Sequence, residues 1–166
     1  LYHFFTEKNG VAFGIGGPKF EKKWMVALTT DAGMSWQPGG LKIAHGGEVL
    51  AERNKRSVAV NDDELWVGLS SGRVAIISSN GKNLDIISAP TGGPVNSIAP
   101  LRGGKMLLAT TRKNGSTSCL TTVYGESWDQ VKLPASIKNL HGLRALPDGS
   151  LVTIPWEVTQ TPLQHV

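Results

Sequence analysis

The stretch Thr29-Thr30-Asp31-Ala32-Gly33-Met34-Ser35-Trp36 decides how the rest of the chain is read. An Asp followed two residues later by a Gly is a turn with its own fastenings. The carboxylate folds back onto backbone N–H groups of the turn, and the glycine accepts a positive φ without a Cβ penalty. Trp36 restarts an extended run and offers a large ring for burial. The segment therefore reads as a hairpin between two strands.

The pattern recurs. Thr121-Thr122-Val123-Tyr124-Gly125-Glu126-Ser127-Trp128 repeats it with Val123 in place of the Asp. Ser78-Ser79-Asn80-Gly81-Lys82-Asn83-Leu84 is a worn copy, one residue shorter, with Asn80 for Asp and Leu84 for Trp. The key positions Asp31, Asn80 and Val123 lie 49 and 43 residues apart. A second series keeps the same phase: short apolar strands at Val11–Gly14, Leu65–Gly68, Met106–Ala109 and Leu151–Ile154, each behind a polar turn. The unit is strand, turn, strand, loop, strand, hairpin, strand in about 40–50 residues, the size of one four-stranded propeller blade.

The first segment resembles the Asp-box, or BNR repeat, of sialidase-like β-propellers, Ser/Thr-x-Asp-x-Gly-x-x-Trp, and fills every defined position with Thr29, Asp31, Gly33 and Trp36. Asn80 and Gly81 in the second copy, and Gly125 and Trp128 in the third, carry the resemblance further. It implies an all-β fold: a β-propeller fragment of about three and a half four-stranded antiparallel blades. It also implies that the box is a structural hairpin at the outer rim, remote from the catalytic centre of the family's enzymes. The expected layout is one partial propeller over 1–166, with blades near 1–40, 57–90 and 95–133 and an incomplete one at 140–166. Strands are expected near 11–16, 24–29, 57–61, 64–69, 73–78, 95–101, 105–111, 116–122, 140–146 and 150–154, in consecutive antiparallel meanders. Asp31 should accept backbone hydrogen bonds within its own hairpin. Trp36 and Trp128 should be buried between neighbouring sheets.

The 166 residues carry a net charge of +4, with Lys19, Lys22 and Lys23 in one loop and Arg53, Lys55 and Arg56 in another. Nucleic-acid binding wants a continuous basic stripe with interleaved aromatics, and the scattered clusters read instead as solvated loops able to meet an acidic partner. No apolar run is long enough for a membrane helix. Glu48 to Lys55 has room for a turn or two of helix in a loop between blades. Cys119, the single cysteine, reads as a small buried apolar residue. An open half-propeller exposes apolar faces, so the chain reads as part of a longer protein, or as one of several copies that complete a ring.

The resemblance raises glycoside hydrolysis, for which the family uses an arginine cluster, a Tyr–Glu pair and an Asp. The family's Arg-Ile-Pro triplet does not occur in the sequence. Tyr124 and Glu126 are near neighbours but fall inside the third box. Asp62-Asp63-Glu64 lacks the alternating spacing of a calcium loop, and the glycines of His45-Gly46-Gly47-Glu48 argue against a helical metal-ligand pair. The reading assigns no catalytic, metal or cofactor-binding residue and no cofactor. Trp156 is the one weak candidate for stacking on a sugar ring. Three functions remain open: a non-catalytic propeller scaffold or binding module within a larger protein or assembly; a segment of a sialidase-type hydrolase whose catalytic residues lie elsewhere; and a lectin-like ring of several chains. The expected partner is a protein or the remaining blades of the same propeller, with a glycan as the alternative, and the resemblance favours an extracellular, cell-envelope or virion setting.

Overall fold

The computed structural model describes residues 1–16, 23–44, 57–112, 114–132, 140–146 and 150–155. The first sheet holds β1 (Tyr2–Phe4), β2 (Gly10–Gly16), β3 (Lys23–Thr29) and β4 (Gln37–Ala44). The second holds β5 (Val58–Asn61), β6 (Glu64–Gly68), β7 (Arg73–Ser78) and β8 (Leu84–Ser88). The third holds β9 (Val95–Pro100), β10 (Met106–Thr111), β11 (Thr117–Thr122) and β12 (Asp129–Val131), and β13 (Leu140–Ala145) pairs with β14 (Leu151–Pro155) in a fourth. Every pairing is antiparallel between chain neighbours. Three four-stranded meanders and part of a fourth, packed face to face in chain order, make this a partial β-propeller.

The strands anticipated by the repeat fall on β2, β3, β5, β6, β7, β9, β10, β11, β13 and β14. The strands whose bounds the repeat did not give are β1, β4, β8 and β12. Each has only one hydrogen-bonded neighbour. Edge strands need not be strongly apolar and tolerate proline and charge. Pro38 in β4, Asp85 in β8 and Asp129 in β12 are of that kind.

Packing explains the sequence pattern strand by strand. Side chains alternate between the two faces of a strand, and a sheet covered on both faces has no polar side. In β6, Leu65 and Val67 turn toward the first sheet while Trp66 turns toward the third, and all are fully buried. The run Leu-Trp-Val is therefore continuously apolar. In β2 the described residues cover only one face: Val11 and Phe13 are buried, while Ala12 and Gly14, which alternate with them, are only partly so. The core accordingly divides into three clusters. One joins Val11, Phe13, Trp24 and Val26 to Leu65, Val67 and Ile77, with Phe13 and Trp24 stacked at 4.7 Å. The second joins Trp66, Val74 and Ile76 to Val95, Ile98, Met106 and Leu108. The third joins Ala99, Leu107, Ala109 and Cys119 to Leu143.

The first strands of successive sheets approach one another, β5 against β9 and β9 against β13. At the second junction a register shift in β13 between His141 and Leu143 accompanies a bond from the Leu143 N–H to the buried Ser97 Oγ at 2.7 Å.

Candidate functional site

The three boxes occupy the same place in their sheets, between the third and fourth strands, but are held differently. In the first, the Thr29 hydroxyl donates to Asp31 Oδ1 at 2.7 Å and accepts from the Gly33 N–H at 2.9 Å. The Ser35 N–H donates to Asp31 Oδ1 at 2.9 Å, and the Ser35 hydroxyl donates to Oδ2. These bonds, the Ser35 hydroxyl foremost, hold the Asp31 carboxyl down at about 2 against an ordinary 3.8. Ala32 and Gly33 both take positive φ, 62° and 88°. The Asp31 carboxylate is thus turned into its own hairpin.

The second box keeps a neutral version of this arrangement. Ser78 Oγ donates to Asn80 Oδ1 at 2.8 Å, which accepts the Lys82 N–H at 2.9 Å. Gly81, at φ 62°, lies directly under Leu28 of the first sheet, and a Cβ there would overlap that side chain. Leu84, where the first box has Trp, is buried in the cluster between the first and second sheets.

The third box has no carboxylate at its centre. Its hydroxyl is that of Thr122, which accepts the Gly125 N–H at 2.9 Å and donates to the Ser127 carbonyl. From this hydroxyl to the glycine the box is one residue shorter than the first, like the second, so the pattern that began at Thr121 is shifted by one. Tyr124, at φ 51°, lays its ring edge-on against Trp66 of the second sheet, with centroids 5.8 Å apart. Its hydroxyl is hydrogen-bonded to Glu64, which pushes the phenol up to about 12. Glu64 also accepts the Trp66 indole N–H at 3.2 Å. Tyr124 and Glu126 are thus parts of an exposed hairpin, with Tyr124 engaged to a neighbouring sheet.

The two box tryptophans differ from expectation and from each other. Trp128 is half-buried and packs on the cluster between the second and third sheets. Trp36 remains 38 % exposed, edge-on to Phe4 at 6.1 Å, on the face of the first sheet opposite the second. The physical reason is that no described residue of another sheet covers that face. Trp156, His45–Glu48, Glu48 to Lys55 and the basic residues Lys19, Lys22, Arg53, Lys55 and Arg56 lie outside the described residues.

The meander sorts charge between the two ends of the sheets, a feature invisible in the linear sequence. All three boxes and the β1–β2, β5–β6 and β9–β10 turns share one end. That end carries Glu7, Asp31, Asp62, Asp63, Glu64, Asp85, Glu126 and Asp129, against Lys8, Lys82, Arg102 and Lys105. The opposite end, where one sheet passes to the next, carries Lys23, Arg73, Arg112 and Lys132, and no acidic residue among those whose side chains are described.

A groove of about 470 Å³ opens between the β8–β9 connection and the third sheet, lined by Pro90, Thr91, Arg112, Asn114, Ser118, Leu120 and Gln130. Arg112 and Asn114 place its mouth at the basic end. The exposed Arg112 guanidinium donates one bond, at 3.2 Å, to Ser118 Oγ, which leaves most of its five donors for a ligand. The Thr91 hydroxyl oxygen is buried and has no hydrogen-bond partner. No cluster of metal-ligating side chains occurs among the described residues, and no helix there is long and apolar enough to cross a membrane.

No protein-family model matches the chain, and no curated protein matches it. Among solved structures it is similar to one described as "YCF48 bound to D1 peptide", at 18 % identity and a TM-score of 0.44, over 93 % of this chain. The chain spans 59 % of the length of that structure.

Proposed function

We propose that the chain is a non-catalytic propeller docking module, and that its blade-linking end takes an acidic segment of a protein partner. The segregation of charge carries this reading. A field of one sign over one face draws an oppositely charged partner and orients it before contact. The groove at Arg112 supplies a place for a carboxylate: a guanidinium matches its two oxygens with paired N–H donors, and the Thr91 hydroxyl lies beside it. The boxes support the same reading from the other side, because their polar groups are engaged in turns and blade contacts. The Asp-box kinship remains part of this proposal, resting on the residues of the first hairpin.

Fluorescence anisotropy with a labelled glutamate-rich peptide tests it. Binding should weaken as salt rises, because exposed charges are screened. Arg112→Glu should weaken it at least several-fold, while Lys105→Glu, at the opposite end, should leave it unchanged or strengthen it. Equal affinity in wild type and Arg112→Glu would sink the proposal.

A further inference from the structure

A hollow of about 320 Å³ lies between the first and second sheets at the box end. The turns around it, 5–9 and 30–36 of the first sheet and 62–63 and 79–83 of the second, are all among the described residues. The hollow has a counterpart one sheet further on. Counted from the box hydroxyl, Asn80 holds the place of Tyr124, two residues after Ser78 as Tyr124 is two after Thr122. In the third box that place carries a phenol ring laid on Trp66 of the preceding sheet. In the second it carries a short amide, and the space toward the first sheet stays open.

The lining is polar but carries no charged side chain. Phe5 and Leu28, both half-buried, form an apolar wall, and the Phe5 ring is set edge-on to His3 with centroids 4.9 Å apart. Beside them stand the Thr30 and Ser79 hydroxyls and the Asn9 and Asn80 amides. The atoms that fasten the boxes are used within the turns, but these groups are not. Thr30 and Ser79 each follow the fastening hydroxyl, at the position the box leaves unspecified. Their own hydroxyls and the Asn9 carboxamide make no hydrogen bond to a described residue. Asn80 Oδ1 accepts from Ser78 and Lys82, which leaves the nitrogen of that amide to donate. Hydroxyls both donate and accept, and a carboxamide does one at each end. Such a set matches a ligand with adjacent hydroxyls of its own. The face of a phenyl ring is electron-rich and receives the C–H face of a pyranose. An ionic ligand would lose water here and find no opposite charge on the wall. We propose that this hollow binds a neutral saccharide, with one pyranose ring against Phe5. The site lies at the opposite end of the sheets from the Arg112 groove and stands without it.

Saturation-transfer NMR on the 166-residue chain is the test, with the methyl glycosides of glucose, galactose, mannose and N-acetylglucosamine as probes and galacturonate as the charged control. At least one neutral glycoside should show transfer from the protein. Thr30→Arg, which puts a bulky charge into the hollow from an exposed position, should lose that transfer with an unchanged far-ultraviolet circular dichroism spectrum. Arg112→Glu should keep it. The proposal is overturned if none of the neutral glycosides shows transfer, or if transfer survives Thr30→Arg. Loss of transfer in Arg112→Glu, or stronger transfer to galacturonate than to any neutral probe, overturns it as well.

Discussion

The first and third boxes solve the same problem with different means. A hairpin whose residues take positive φ must recover the conformational cost from somewhere. The first does so from within: Asp31 gathers bonds from Thr29 and Ser35, and the turn is held by its own side chains. The third, counted from Thr122, has Tyr124 where the carboxylate stood, and its hairpin is held from outside, by Tyr124 on Trp66 and Glu64 and by Gly125 under Ile87. The difference follows position in the stack. Among the described residues a preceding sheet lies against the third hairpin and none lies against the first. A box with a neighbour can lose its carboxylate.

The comparison can be broken at its strongest point by Trp66→Ala. Trp66 is fully buried and backs the third hairpin, so truncation should cost about 3–5 kcal/mol, as for a large core aromatic. Chemical denaturation measures this, and a cost below that of Trp36→Ala would overturn the view that the third box leans on its neighbour. Gly81→Ala comes next. It adds left-handed strain of about 1–2 kcal/mol and overlap with Leu28 worth about 1–3 kcal/mol more. Gly33→Ala pays the first cost but meets Phe4 no closer than 3.2 Å, so its loss should be the smaller of the two. The smallest effect should be that of Asp31→Ala, a melting temperature lowered by a few degrees. Its signature is pH dependence. The folded-state pKa is depressed, so the contribution is complete above the ordinary carboxylate value of 3.8 and fades as pH falls through about 2. Wild type and variant should therefore converge in melting temperature across that window. A constant difference across it would detach Asp31 from the stability of the hairpin.

Much of this fold was legible because its determinants are local. Asp31 and Gly33 announce a turn within a few residues, and the repeat multiplies the signal until strand order follows. The edge strands were harder to read: β1 is three residues long, and β4 carries Pro38, Gly39 and Gly40. The burial of Trp36 was misjudged for a related reason. A box predicts where its ring points, but only the neighbouring sheet decides whether the ring is covered. The register of the third box was hidden because Thr121 and Thr122 offer two hydroxyls, and only the fold selects Thr122. The groove was illegible altogether. Thr91 lies in the turn between β8 and β9 and Arg112 just after β10, 21 residues apart in sequence, and the separation of charge arises from which ends of antiparallel strands coincide, not from any run of like residues.

The division of the core into three clusters carries a further consequence for cooperativity. Each cluster joins only one sheet to the next, so stability is passed along the chain through nearest-neighbour couplings, as in a one-dimensional array. Damage to the cluster around Leu143 should release the fourth sheet while the stacked Phe13 and Trp24 keep their surroundings. Loss of structure then begins at a terminal sheet and advances inward, and the second sheet, buried between two neighbours, is the last to yield its amide protons to solvent.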